Sequence, residues 1–268
     1  MRLKKMGAAR DQPCLPGAGL SSGDFQVIEV DKLTKRYGQI TAVENISFKI
    51  EQGEIIGFLG PNGAGKSTTM RILTGFSPAT SGTAKIAGYH VADDPIQVKQ
   101  RIGYLPESVP LYPEMVVRGF LRYVAEVKGV PRAKRNAECD RVMERCGLSD
   151  MGKRIVRNLS RGYRQRLGLA QALVGDPPVL ILDEPTVGLD PAQIVEIRQT
   201  IKALADDHTV LLSTHILPEV SMLCQRVIII HQGHIVAQDT MDNLTGKGAK
   251  SLEQTFIDVI SSDAGAVS

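Results

Sequence analysis

No stretch of the 268-residue sequence approaches the about 18–20 consecutive apolar residues that cross a bilayer. The longest apolar runs, "VLIL" at 179–182 and "VIII" at 227–230, have the length of strands. Cysteine is scarce. The four present (Cys14, Cys139, Cys146, Cys224) show no CxxC spacing, which speaks against a zinc site or a disulfide framework and for reduced thiols in a cytosolic protein. An excess of one charge is also lacking: Lys+Arg number 32 against Asp+Glu 29, and the basic residues are scattered. Nucleic acid is therefore not expected as a partner. Arg2, Lys4 and Lys5 open the chain, but the apolar run of a secretory signal does not follow them. Residues 1–25, rich in Gly, Pro and Ser, read as a disordered tail. The expectation is a soluble chain, so that any membrane span must come from another subunit.

What the sequence does hold is 43% hydrophobic residues, enough for one large core or two small domains. Order is expected from Gln26 onward. "VIEVDKLTKRYG" and "ISFKIEQG" read as antiparallel strands, and "EIIGFLG" as a buried strand entering a Gly-rich loop and the helix "KSTTMRILTG". "GTAKIAG" and "RIGYLP" add strands. From about 113 to 174 the patterning turns helical, as in "RGFLRYVAEVKG" and "AKRNAECDRVMERCG". "PVLILDEP" then supplies a strand buried on both faces. Ile194, Ile197, Ile201 and Leu204 follow at helical spacing, and "TVLLST" is another strand. "VIIIHQGHIVAQD" reads as a hairpin turning at Gln232-Gly233. Such alternation argues an α/β core, with an antiparallel β subdomain before it and a helical subdomain inserted within it.

"GPNGAGKST", from Gly60 to Thr68, matches the phosphate-loop pattern GxxxxGK[ST]. Gly60, Gly63 and Gly65, with Pro61, Asn62 and Ala64 between them, let backbone N–H groups converge on phosphate oxygens at a helix N-terminus. Lys66 is placed to reach the β and γ phosphates, and the Ser67 hydroxyl to ligate Mg²⁺. In "LILDEP", Asp183 ends a buried strand where it can hold Mg²⁺, and Glu184 beside it can polarise an attacking water. His215 in "LLSTH" ends the next strand and can contact the γ-phosphate or that water; alone, it reads more readily as a surface residue. Tyr37 in "KRYG" can stack on adenine, or serve as an ordinary edge aromatic. His231 and His234 have the spacing of a metal pair, but the turn between them argues against one.

A second anion site is suggested by "LSRGYRQR". Ser160 can cap the helix that follows, and Gly162 permits close approach. Taken in order, Tyr37, "GPNGAGKST", "LSRGYRQR", "LILDEP", "GLDP" and "STH" resemble the motifs of ATP-binding-cassette (ABC) ATPases over roughly residues 27–239. The resemblance implies a P-loop NTPase (RecA-like) core that binds ATP and Mg²⁺ and hydrolyses ATP. It implies Tyr37 as the adenine-stacking aromatic, Glu184 as the catalytic base, His215 as the switch histidine and Asp190 as part of a loop communicating across a dimer. It further implies that Ser160 and Gly162 of one subunit cap the γ-phosphate held by the phosphate loop of the other. The implied partners are a second copy or a paired ABC subunit, and a membrane-spanning permease on whose cytoplasmic side the chain sits.

The sequence departs from the family twice. Arg161 and Tyr163 stand where the usual signature, LSGGQ, has a glycine and the glutamine. Glu107, in "YLPE", stands where the family carries a glutamine touching Mg²⁺ and water; a carboxylate can bind a metal, but it adds negative charge beside a triphosphate. "YLPE", the signature and "GLDP" followed by Gln193 are similar to the single-cassette ATPases of ABC-2-type exporters, including gliding-motility-associated ones. The expected layout is a tail at 1–25, an ATPase domain at 26–240 with its helical subdomain at about 107–175, and a short helical extension at 241–268. The competing readings are a soluble ABC ATPase acting on ribosomes or DNA, and an importer ATPase.

Overall fold

The computed structural model describes residues 26–246 and 250–266; the expected N-terminal tail lies outside the described residues. Two long strands, β1 (Gln26–Tyr37) and β2 (Ile40–Glu51), pair antiparallel. β3 (Ile55–Leu59) is buried along its whole length and leads through the Gly-rich loop into α1 (Lys66–Leu73). β4 (Ser81–Ile86) and the two-residue β5 (Tyr89–His90) complete an antiparallel sheet in the order β2-β1-β4-β5. A short helix, α2 (Pro95–Arg101), precedes β6 (Ile102–Leu105).

The helical subdomain consists of α3 (Val117–Val127), α4 (Arg135–Arg145) and α5 (Arg161–Leu173). The chain then returns to β7 (Val179–Asp183), α6 (Pro191–Leu204), β8 (Thr209–Thr214) and α7 (Leu217–Leu223). β9 (Arg226–His231) and β10 (His234–Thr240) form the expected hairpin, with positive φ at both Gln232 and Gly233 as a two-residue turn of this hand requires. Two helices, α8 (Met241–Leu244) and α9 (Leu252–Ala266), follow.

β3, β6, β7, β8 and β9 form a parallel sheet in the order β9-β3-β8-β7-β6, with β10 antiparallel at one edge. Period-two alternation divides its side chains between two cores. Ile56, Phe58, Val179, Ile181, Leu211 and Ile228 face the antiparallel sheet and Met70 and Leu73 of α1. Ile55, Leu59, Leu180, Leu182, Leu212 and Ile229 face the helices, among them Phe120, Val142, Leu167, Ile197 and Val220. Strands covered on both faces are buried throughout, as β3, β7 and β8 are, and the polar Asp183, Ser213 and Thr214 fall at their carboxyl ends. Their carboxyl ends lie side by side at one edge of the sheet, where an open α/β sheet places its ligands.

Candidate functional site

Gly65 precedes α1 with φ 107°, and a Cβ built on it would lie 2.6 Å from the Ala42 carbonyl oxygen. Only glycine keeps the loop this close to β2. The backbone N–H groups of Gly63, Gly65, Lys66 and Ser67 donate to no described residue, as the first turn of a helix leaves its donors free. Lys66 Nζ donates to the carbonyls of Gly60 (2.8 Å) and Pro61 (3.2 Å). It also lies 3.3 Å from Glu184 Oε1, with the two side chains only 6% and 7% exposed. The ammonium therefore bridges the loop and the end of β7.

The ends of β7 and β8 are laced together. Asp183 Oδ1 accepts from the hydroxyls of Ser213 (2.7 Å) and Ser67 (3.2 Å), and the Glu184 N–H donates to the Ser213 carbonyl (2.9 Å). Glu184 has φ 50°, a left-handed conformation that costs a side-chain-bearing residue ~1–2 kcal/mol and turns the chain sharply out of the sheet. His215 Nδ1 lies 2.9 and 3.0 Å from the two Glu184 carboxylate oxygens. Burial pushes the Asp183 carboxyl up from the ordinary carboxylate range; the Ser213 and Ser67 hydroxyls oppose the rise, and the Glu184 and Glu107 charges add to it. Ser67, Asp183 and Glu107 offer the hard oxygen atoms that Mg²⁺ prefers, and a divalent cation would offset the carboxylates crowded around Asp183. Asn62, Gly63, Gly65, Lys66, Ser67, Thr68, Glu107, Glu184, Val187 and His215 line one cleft of about 550 Å³. The phosphate-loop residues, Glu184, His215 and Glu107 are thus brought together as expected.

The signature residues form a separate constellation. Ser160 caps α5, its Oγ accepting from the Tyr163 N–H at 3.3 Å. Asp190 caps α6 in the same way, accepting from the Gln193 N–H at 2.9 Å. A Cβ at Gly162 would lie 2.6 Å from the Gln193 carboxamide carbon, so the close approach expected there is made by this chain's own α6. Arg161 donates to the Val187 carbonyl at 3.0 Å, and its guanidinium packs flat against Gly188. The residue that departs from the family thereby fastens the start of α5 to the turn that follows Glu184.

Tyr37 is 47% exposed at the end of β1, with the Lys35 ammonium 4.8 Å from its ring centre, and it does not line the cleft. His231 and His234 are cross-strand partners in the hairpin, and no cluster of three or more His, Cys, Asp or Glu side chains able to hold a metal occurs among the described residues. A second cavity, about 780 Å³, opens between the sheet and the helical subdomain, lined by Arg71, Phe76, Lys99, Tyr104, Val124 and Lys128 among others. Glu107 borders both cavities. Burial pushes the Lys128 ammonium down to about 8.

Three site residues were not singled out by their motifs. Ser213 holds Asp183, while Thr186 and Thr214 reach a buried carboxylate, Glu219. The only trace of them in sequence is their position beside Glu184 and His215 in "DEPT" and "LLSTH".

A strand, a phosphate loop, a helix and an acidic strand end joined in one cleft define a P-loop nucleoside triphosphatase (NTPase). The ABC transporter family profile matches residues 43–187. Over 229 residues the chain is 40% identical to the bacitracin transport ATP-binding protein BcrA of Bacillus licheniformis, covering 85% of this chain and 74% of that protein. It is 35% identical over 222 residues to the linearmycin resistance ATP-binding protein LnrL of Bacillus subtilis (strain 168), covering 82% and 71%. The dimeric structure of MJ0796, a bacterial ABC transporter cassette, superposes with a TM-score of 0.73 at 25% identity, covering 80% of this chain and 98% of that one. The chain belongs to the ABC transporter family, as an ATP-binding subunit whose ATPase activity is coupled to transport.

Proposed function

We propose that this chain drives export by binding MgATP, closing as a dimer around two nucleotides, hydrolysing them and opening again. The observation that carries the reading is the junction of Lys66, Ser67, Asp183, Glu184 and His215 across three adjacent strand ends. Lys66 exchanges its loop carbonyls for β- and γ-phosphate oxygens. Glu184 takes the proton of the attacking water, and His215, in contact with that carboxylate, holds it in place. Mg²⁺, when bound at Ser67 and Asp183, neutralises charge on the phosphate oxygens. Most of the rate acceleration is then positioning and charge stabilisation.

Tyr37 stacks on the adenine from its exposed strand end. Ser160 and Gly162 present the start of α5 to the nucleotide held by the other subunit, with Asp190 beside them. The dimeric form of MJ0796 supports pairing of this kind. Closure is stabilised by contacts that exist only while the γ-phosphate is present.

The ATPase unit occupies 26–240, with the helical subdomain at about 107–175 and the C-terminal extension after it. No helix among the described residues is long and apolar enough to cross a membrane, which fits a separate permease as the span. The groove beside Glu107, lined in part by the exposed Phe76, is the surface proposed to grip short cytoplasmic helices of that permease. Export is favoured over import or a soluble role because BcrA and LnrL are named for bacitracin transport and linearmycin resistance. Phosphate release from ATP, measured with the full chain alone and with its permease, is expected to require Mg²⁺ and to be saturable. Absence of turnover in both settings would refute the proposal.

A further inference from the structure

Behind the Glu184–His215 pair lies a carboxylate that none of the motifs accounts for. Glu219, on α7, is 1% exposed. Its Oε1 accepts from the Thr186 hydroxyl, and its Oε2 accepts from the Thr214 hydroxyl at 2.7 Å. Arg198, from α6, brings a guanidinium nitrogen within 3.8 Å of Oε1. Thr214 also accepts from the Ile216 N–H at 3.0 Å, which fixes its hydroxyl to donate toward Glu219.

The positions of these partners matter more than their number. Thr186 lies two residues beyond Glu184, and Thr214 immediately precedes His215. Side chains alternate along a strand. Ser213 and His215 accordingly face forward, to Asp183 and Glu184, while Thr214 faces back to Glu219. The carboxylate thus holds the end of β8 and the turn leaving β7 at a fixed separation. That separation sets how His215 meets Glu184. A buried carboxylate is a costly way to fill space, and an apolar side chain of similar volume would serve packing as well or better.

We infer that Glu219 is a positioning residue for hydrolysis, holding the Glu184–His215 pair in register through Thr186 and Thr214. This rests on the proposed roles of Glu184 and His215. Glu219→Gln keeps the shape but has one acceptor oxygen where the carboxylate has two, so one threonine loses its partner. In the purified full-length chain, kcat per nucleotide-binding subunit is expected to fall on the order of tenfold, with KM for ATP within about twofold of wild type. Thr214→Val should reproduce the loss, and Thr214→Ser, which keeps the hydroxyl, should restore it. The threonine pair also decides the matter should Glu219→Gln fail to fold. Wild-type kcat in Glu219→Gln, or a loss confined to Tm and ATP affinity, overturns the inference; so does Thr214→Val with unchanged kcat. Glu184→Gln, assayed in parallel, separates the two readings: normal turnover there removes the base assignment, whatever Glu219 does.

Discussion

Lys66, Glu184 and His215 lean on one another inside a cleft, whereas Ser160, Arg161 and Gly162 lean on the neighbouring turn of their own chain. In the first region Lys66 and Glu184 are buried against each other, with the more exposed His215 in contact with the Glu184 carboxylate. In the second, Ser160 is exposed and its hydroxyl serves only as a helix cap. The contrast teaches that one polypeptide can complete the phosphate-gripping half of such a site, because its parts come from adjacent strand ends. The signature half is bonded to its own chain but does not line that cleft, and on the proposed reading a second subunit supplies what it faces.

The largest expected effect breaks the first region. Glu184→Gln should lower kcat by about 10²–10⁴-fold while leaving ATP binding intact, and should accumulate a nucleotide-bound dimer. Phosphate release and size-exclusion chromatography with ATP check both halves of the prediction. Lys66→Ala comes next. Loss of a charge-assisted contact to phosphate should weaken ATP binding by roughly tenfold or more, readable by calorimetry.

A mixing experiment sharpens the comparison itself. Lys66→Ala and Ser160→Ala chains should each be poorly active. Their mixture should regain turnover, because one site of the mixed dimer combines an intact phosphate loop with an intact signature. No recovery on mixing would show that both regions act within one chain. Arg161→Ala should have a smaller consequence. It removes one hydrogen bond at an exposed position, worth ~1 kcal/mol, and should lower Tm by a few degrees with ATP affinity unchanged.

The last effect is a pH dependence, at Lys128. Burial lowers its pKa to about 8 from an ordinary 10.5, so the folded state sheds the proton first as pH rises. Below pH 8 both states hold the proton and the burial penalty is fully felt; between about 8 and 10.5 the unfolded chain binds more protons, and stability gains. The wild-type Tm should therefore rise relative to that of Lys128→Met across this window. Parallel Tm curves for the two proteins would contradict the assignment.

Much of this was legible in the sequence, for physical reasons. β3 and β7 announce themselves because strands covered on both faces carry apolar runs, and β8 does so through residues 210–212. The phosphate loop is equally plain, since its function depends on consecutive residues. α2 and β5 escaped notice: α2 buries only Val98 and β5 has two residues, too little for a period to register. Glu219 was hidden for another reason. It sits 33 residues from Thr186, and a glutamate near the start of an amphipathic helix looks solvated until the fold closes over it. The seat of Arg161 on Gly188 was likewise invisible, because "GLDP" and "LSRG" become neighbours only in three dimensions.

Glu107 forms a party wall. On one side of this side chain is the cleft lined by the phosphate loop, Glu184 and His215, and on the other the basic, aromatic-edged groove under the helical subdomain. An occupant of the groove that pushed the loop bearing Glu107 by little more than an atomic radius would alter the volume and the charge of the chamber next door. Glu107 belongs to the lining of both, so a message between the two rooms would need no relay through the core.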